Sequence, residues 1–518
     1  MTPADVRFHL LTRQEIALLD VREEAPFALS HPLFASQMSA GLIEIEALDR
    51  LPRKDVTIVL YDDGEGLVAD AARRLAALGY SNIFALEGGL KGWEAAGGEL
   101  FQDVNSYSKA FGELVEDRRH TPALPAPDLD ALQRDKADVA VLDARRYDEY
   151  AAMSIPGGTS VPGAELVLRA QALAPDPKTT IVVNCAGRTR SIIGAQSLIN
   201  AGLPNPVYAL RNGTIGWTLA GLELDRGKSD RAPDVGDEAQ QVALERARAV
   251  SYRAGVRLLT GEQVAQLATD ATRTLYRFDV RSPEDYAAGH VPGFRSMPGG
   301  QLVQETDMVA PVRGACIVLW DDRGVRAHMS ASWLAQMGWD VYVVEGDIGD
   351  AVESGRWTPT LPPLPATDRL SVEELARGLG AGQIVLIDLA PSPVHRAGHI
   401  PGARFAIRAR LDAVLATLGD DADVVLTSPD GALAAFAAAD LANGRRVRCV
   451  EGGTAAWVAA GRPLTPGFDD ALTPPDDIYK RPYVGTDNAA AAMQAYLDWE
   501  YGLVDQLRRD GSHGFVVI

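Results

Sequence analysis

Cysteine is scarce in this chain, with three among 518 residues, at positions 185, 316 and 449. So few, so far apart, build neither a disulfide framework nor a C-x-x-C zinc pattern, and they fit a reducing compartment. Positive charge is short as well: 50 Lys and Arg stand against 70 Asp and Glu, a formal net charge of −20. A nucleic acid or an anionic membrane would repel such a chain at long range, so neither is an expected partner. No long uncharged apolar run is present to span a bilayer. Met1-Thr-Pro-Ala-Asp-Val-Arg7 has no basic region leading into an apolar core, so a cytoplasmic location is expected. A mark of long disorder is missing too, because 47% hydrophobic and 23% charged residues is the composition of an ordinary globular protein.

What is present is a repeat. A length of 518 residues exceeds what one core organises and implies several domains. Four apolar strands each end in Asp: Leu18-Leu-Asp20, Val141-Leu-Asp143, Arg277-Phe-Asp279 and Leu386-Ile-Asp388. Arg follows two residues later in three of them (Arg22, Arg145, Arg281), and Ala390 in the fourth. His31, Ser154, His290 and His399 each lie 11 residues after the Asp, before a Pro-containing turn. A second apolar strand then stops at Asp62, Cys185, Asp321 and Ser428, which are 42, 42, 42 and 40 residues after the Asp.

Each of these turns leads into a stretch with helical spacing, a short β-branched strand and a glycine turn. Those closing turns are Glu87-Gly-Gly-Leu-Lys-Gly-Trp93, Arg211-Asn-Gly-Thr-Ile-Gly-Trp217, Glu345-Gly-Asp-Ile-Gly349 and Glu451-Gly-Gly-Thr-Ala-Ala-Trp457. Strands alternating with helices at this spacing predict an α/β fold of four tandem units, each a mainly parallel sheet flanked by helices. Ligands are then expected at the carboxyl ends of the strands. The expected limits are 1–104, 105–228, 229–362 with a leading linker helix, and 363–466. An appendix over 467–518 remains, helix-like from Ala489 to Leu507 and a candidate final strand from Asp510 to Ile518, expected to dock on a neighbouring repeat or on a second subunit in a homodimer.

Only one of the four equivalent turns has a thiol, Cys185-Ala-Gly-Arg-Thr-Arg190. A cysteine at the mouth of a turn entering a helix has its thiolate favoured by backbone N–H groups and the helix dipole, and Arg188 and Arg190 add charge. This is a nucleophile beside an anion seat, suited to attack on a sulfur or phosphorus oxyanion without metal or cofactor. Cys316 and Cys449 sit inside apolar strand patterns and read as core.

Asp-x-Arg, His-x-Pro-Gly, Cys-x4-Arg and Glu-Gly-Gly-x3-Trp together resemble the rhodanese family, repeated over almost the whole chain. The resemblance implies a sulfurtransferase whose Cys185 takes the outer sulfur of thiosulfate or a similar small anionic donor, becomes a persulfide, and passes the sulfur to cyanide or a thiol. Carried over residue by residue, it makes Cys185 the nucleophile and Arg190 a catalytic residue. The amides of Ala186, Gly187, Arg188, Thr189, Arg190 and Ser191 would then hold the persulfide and the donor's anionic end, and Arg188 and Arg190 would supply charge. Asp143 and Arg145 would brace the loop. Phosphatases of similar fold have one more residue between Cys and Arg, whereas Cys185 to Arg190 spans six residues inclusive, so sulfur is favoured over phosphate. The second repeat departs from the pattern at Ser154 and at Arg211-Asn212, which leaves the choice of donor open.

Asp62, Asp321 and Ser428 cannot form a persulfide, so the first, third and fourth repeats are expected to be inert walls or docking surfaces. Asp62 with Asp63 and Glu65 makes an acidic turn, and Asp321 has Arg323 and Arg326 available for internal pairing. A reading of another class is a scaffold or non-turnover sulfur carrier, in which Cys185 holds sulfur for a partner protein.

Overall fold

The computed structural model describes every residue except 347, 349–351, 420 and 442–445. Part of the third closing turn, Glu345 to Gly349, lies outside the described residues. The chain divides into two compact units, one of residues 1–3, 17–104 and 359–480, the other of 4–16, 105–358 and 481–518. The first and fourth repeats therefore share one unit together with residues 467–480 of the appendix, and the second and third share the other with residues 481–518.

In the second repeat the sheet runs Ala123–Leu124, Val207–Leu210, Thr180–Asn184, Val139–Asp143, Gly158–Ser160, all neighbours parallel. The same strand order recurs in the third and fourth repeats. Its middle strands are buried on both faces, which is why Ile181, Val182 and Val183 form an unbroken apolar run. Helices on both faces supply the cover, and the strand ends at Asp143 and Cys185 emerge side by side.

The Asp-x-Arg motif ties strand end to turn. Arg22, Arg145 and Arg281 reach Asp20, Asp143 and Asp279 at 2.6, 2.7 and 2.6 Å. Each also donates to the carbonyl eight residues on, Ser30, Met153 or Gly289. Where the fourth repeat has Ala390, His395 Nδ1 meets Asp388 at 2.7 Å, so a buried carboxylate keeps a partner by other means. The turn histidines have a matching structural part: His290 and His399 bond the carbonyls of Tyr286 and His395 through Nδ1 at 2.9 Å.

Within the first unit, Glu44 and Arg74 of the first repeat meet Arg408 and Asp440 of the fourth in a four-charge cluster. Within the second unit, Arg326 pairs with Glu165 and Trp333 Nε1 donates to Ser197 Oγ at 2.9 Å, joining the third repeat to the second. Helix Asp237–Arg253 packs against Val325–Gln336.

The appendix differs from expectation in two ways. Its helical stretch breaks at Gly502 into Ala489–Tyr501 and Leu503–Asp510. Residues 511–518 form no strand; the last residues meet a helix end instead of a sheet edge, and the amides of Val516 and Ile518 bond the carbonyl and side chain of Gln336 at 2.8 and 3.0 Å. No helix among the described residues is long and apolar enough to cross a membrane.

Candidate active site

Strand Thr180–Asn184 delivers Cys185 to the start of a tight loop, and helix Thr189–Asn200 leaves from its far side. Asn184 Nδ2 donates to Asp143 at 3.0 Å, linking the strand end to the Asp143–Arg145 pair. The closing turn shapes the loop from outside. Thr214 and Ile215 amides donate to the carbonyls of Cys185 and Ala186 at 2.9 and 3.0 Å. Gly213 permits this with a φ of +54°, and a Cβ there would lie 2.8 Å from the Gly187 carbonyl oxygen. With the carbonyls of Cys185 and Ala186 drawn to that turn, the N–H groups of residues 186–191 are left as donors for an anion nest.

The other three repeats show what such a nest holds. Asp62 accepts from the amides of Gly64 and Leu67 at 3.0 and 2.7 Å. Asp321 accepts from Arg326 and Ala327 at 3.4 and 3.1 Å, and Ser428 Oγ from Ala434 at 3.2 Å. Apart from Gly64, the donors stand five or six residues after the head of the turn, positions filled in the second repeat by Arg190 and Ser191. Three repeats thus seat an oxygen of their own where the second has sulfur. Burial pushes Asp321 up to about 6, although Arg326 at 3.4 Å pulls the other way. Its expected partner Arg326 is the right one, whereas Arg323 lies 4.0 Å from Asp322.

Cys185 is 2% exposed. Its Sγ lies 3.5 Å from Ser191 Oγ, whose own hydrogen goes to the Arg188 carbonyl at 2.7 Å. Ala186 is buried beside it, and Thr189 packs its methyl against helix Ser106–Arg119 at Gly112, where a Cβ would lie 2.7 Å away.

That close approach brings Glu113 to Arg188. The guanidinium is gripped through Nε and Nη2 at 2.8 Å each, with Glu116 also bonded to Nη2. Arg190 is held by both oxygens of Glu149 at 2.7 and 2.9 Å. Burial opposes ionisation of Glu149, but the Arg190 hydrogen bonds and charge bring it down to about 2. The expected free charge of Arg188 and Arg190 is therefore already matched by carboxylates. The reason is burial, since a cation with 3% of its side chain exposed, as in Arg188, requires a counter-charge.

Sequence reasoning missed Glu113, Glu116 and Glu149, and it missed the cover. The first C-terminal helix lies over the loop: a Cβ on Gly187 would be 3.2 Å from Glu500 and 3.7 Å from Tyr496. Tyr501 donates to Asn212 Oδ1 at 3.1 Å, and its ring lies 3.9 Å from the Arg188 guanidinium. Cys316 and Cys449 are 1% exposed, free, and held in their sheets, Cys316 beside Arg273 and Asp340.

The family model for the rhodanese-like domain matches residues 3–96, 126–220, 260–352 and 371–460. A crystal structure of a thiosulfate sulfurtransferase from Pseudomonas aeruginosa is 55% identical with a TM-score of 0.98, covering 100% of this chain and 99% of that one. Among curated proteins, an HTH-type transcriptional regulator of Mycobacterium tuberculosis is 34% identical over 95 residues, 18% of this chain and 41% of its own length. SseB of the same species is 31% identical over 127 residues, 22% of this chain and 43% of its own length. The chain thus spans less than half the length of the curated relatives it matches. With four matched segments, three of which share one strand order, and with the same strand-turn-helix element in each, the chain belongs to the rhodanese-like family.

Proposed function

We propose that the protein is a thiosulfate-type sulfurtransferase that moves sulfane sulfur from an anionic donor to cyanide or a thiol through a persulfide on Cys185. The observation that carries this reading is the nest. Where sister repeats seat a carboxylate on the amides five and six residues on, the second repeat has a thiol. The full-length likeness to a thiosulfate sulfurtransferase supports the same chemistry.

In the first step the Cys185 thiolate attacks the outer sulfur of thiosulfate. A Cys185 S–S bond forms, the donor's S–S bond breaks, and sulfite leaves with the bonding electron pair. The inward amides from Ala186 to Ser191 then hold the terminal persulfide sulfur, whose negative charge takes the seat that oxygen occupies in the inert repeats. Cyanide attacks that sulfur, thiocyanate departs, and the thiolate returns. Arg188 and Arg190, through Glu113 and Glu149, brace the loop in the shape both steps need. A reducing cytoplasm suits this chemistry in a chain whose three cysteines are all unpaired.

Incubation with thiosulfate alone, followed by intact mass and by thiocyanate formation on adding cyanide, tests the proposal. A gain of one sulfur with turnover is expected, and silence in both sinks it. A gain of sulfur without turnover would favour the carrier reading, which the burial of Cys185 beneath a C-terminal helix makes worth separating.

Gly213→Ala is expected to cut turnover at least tenfold. The φ of +54° costs a side chain roughly 1–2 kcal/mol, and the added Cβ pushes on the carbonyls of Cys185 and Gly187. Steady-state kinetics beside a urea unfolding curve reads both effects; unchanged turnover would show that the loop does not depend on this turn.

A further inference from the structure

Both loop guanidiniums are matched by carboxylates, Arg188 by Glu113 and Glu116 and Arg190 by Glu149, and a further carboxyl group, that of Glu500, faces Gly187. A dianionic donor entering that balance finds amides but no uncommitted cation on the loop itself. Two cations approach from elsewhere: Lys109, whose Nζ lies 5.4 Å from the Tyr496 ring, and Arg481, bonded to the Tyr483 that packs on that ring. Arg481 begins the part of the appendix that belongs to this unit, and its Nη1 donates to Tyr483 Oη at 2.9 Å. Tyr483 packs edge-on against Tyr496 with ring centroids 5.8 Å apart, and Tyr496 is one of the two residues facing Gly187. Tyr496 and Leu497 are anchored on Ile215, next to the closing turn that shapes the loop.

Among the described residues Arg481 makes no ion pair, unlike Arg188 and Arg190. It stays charged: burial opposes the charge, but Tyr483, Tyr496 and Glu149 push its pKa up. Its field also reaches Arg190, the residue that senses Cys185. A guanidinium presents a planar fork of donors that fits an oxyanion with two oxygens toward it.

We propose that Arg481, delivered by the C-terminal extension, is the donor-binding cation of the Cys185 site and receives the sulfonate end of an anionic sulfur donor. The proposal rests on the sulfurtransferase reading above. It gives the appendix a function: the second repeat has nucleophile and nest, and residues after the fourth repeat complete the site. Tyr483 and Tyr496 fix the side chain's position, so the charge is preorganised rather than drawn in by the donor.

The test compares full-length wild type with Arg481→Gln and Arg481→Lys, using thiosulfate and, as a donor lacking a sulfonate, the persulfide of 2-mercaptoethanol. With thiosulfate, Arg481→Gln is expected to raise KM tenfold or more with kcat little changed, the mark of lost uniform binding. Lys should recover part of the loss, and raised salt should weaken thiosulfate binding to wild type more than to Arg481→Gln. Sulfur loading from the mercaptoethanol persulfide, read by intact mass, should be the same in all three. An unchanged KM in Arg481→Gln overturns the proposal. So does an equal loss with both donors that Lys does not rescue, which would assign Arg481 a purely structural part. If wild type itself loads no sulfur from thiosulfate, the sulfurtransferase reading falls first and the proposal with it.

Discussion

Full-length protein carrying Cys185→Ser is expected to take up no sulfur from thiosulfate and to form thiocyanate only at the uncatalysed rate, a fall of at least ~10³-fold from wild type. Serine keeps the shape of the loop and a hydrogen-bonding group, as Ser428 does in the fourth repeat, where Oγ accepts from Ala434 at 3.2 Å. What it removes is the sulfur proposed to carry the persulfide. No other sulfur in the chain is placed to substitute. Cys316 and Cys449 are 1% exposed within strands, and burial pushes the Cys316 thiol up, which disfavours its thiolate even with Arg273 beside it. A variant with both of these replaced by serine should load and turn over as wild type does. Residual sulfur uptake by Cys185→Ser, seen by intact mass, would place the chemistry at another residue.

Glu113→Gln is expected to lower stability by about 3–5 kcal/mol, measured as a shift of the urea transition, and to take activity with it. Glu113 is 4% exposed and holds Arg188 through two hydrogen bonds of 2.8 Å, so its loss leaves a buried cation with the partly exposed Glu116, the Asn212 side chain at 3.3 Å and the Tyr501 ring, of which Glu116 alone is charged. Burial lifts the Glu113 carboxyl above its ordinary range while the Arg188 bonds and charge draw it back. The pair therefore stabilises the fold less than its geometry suggests, and breaking it does more harm than removing it. The double variant Glu113→Leu with Arg188→Met should recover much of the stability lost by Glu113→Gln alone. A single-variant effect below about 1 kcal/mol would show that Glu116 alone suffices.

The parts of this site that were legible in the sequence are those set by neighbours along the chain. Asp143, Ser154 and Cys185 stand at fixed distances because strand, turn and helix have fixed lengths, and the same distances recur with other residues in the other repeats. The partners of the loop arginines were not legible. Glu113 and Glu116 lie on helix Ser106–Arg119, more than 70 positions before Arg188 and outside the repeated pattern, and they arrive only because Gly112 lets two helices touch. Glu149 had a signal: among the four repeats, an acid six residues after the strand-ending Asp occurs only here and at Asp285. Tyr496, Glu500 and Arg481 belong to a segment with no counterpart in the repeats, so no register pointed from them to Cys185. The pairing of first with fourth and second with third was equally hidden, because Glu44 and Arg408, or Glu165 and Arg326, meet through tertiary packing that no local spacing encodes.

The self-filled turns have a further consequence. In the first and third repeats the carboxylates of Asp62 and Asp321 are tethered to the strand end from which they reach their own amides. A tethered ligand competes at an effective concentration at or above the millimolar level of short flexible linkers, so sulfate, phosphate or thiosulfate from solution does not displace it at lower concentrations. These repeats behave as receptors sold with the antagonist already bound. One kind of change, Asp to Cys at the head of the turn, would evict the antagonist and install a nucleophile together, which leaves each silent repeat a single codon from the first requirement of an active one.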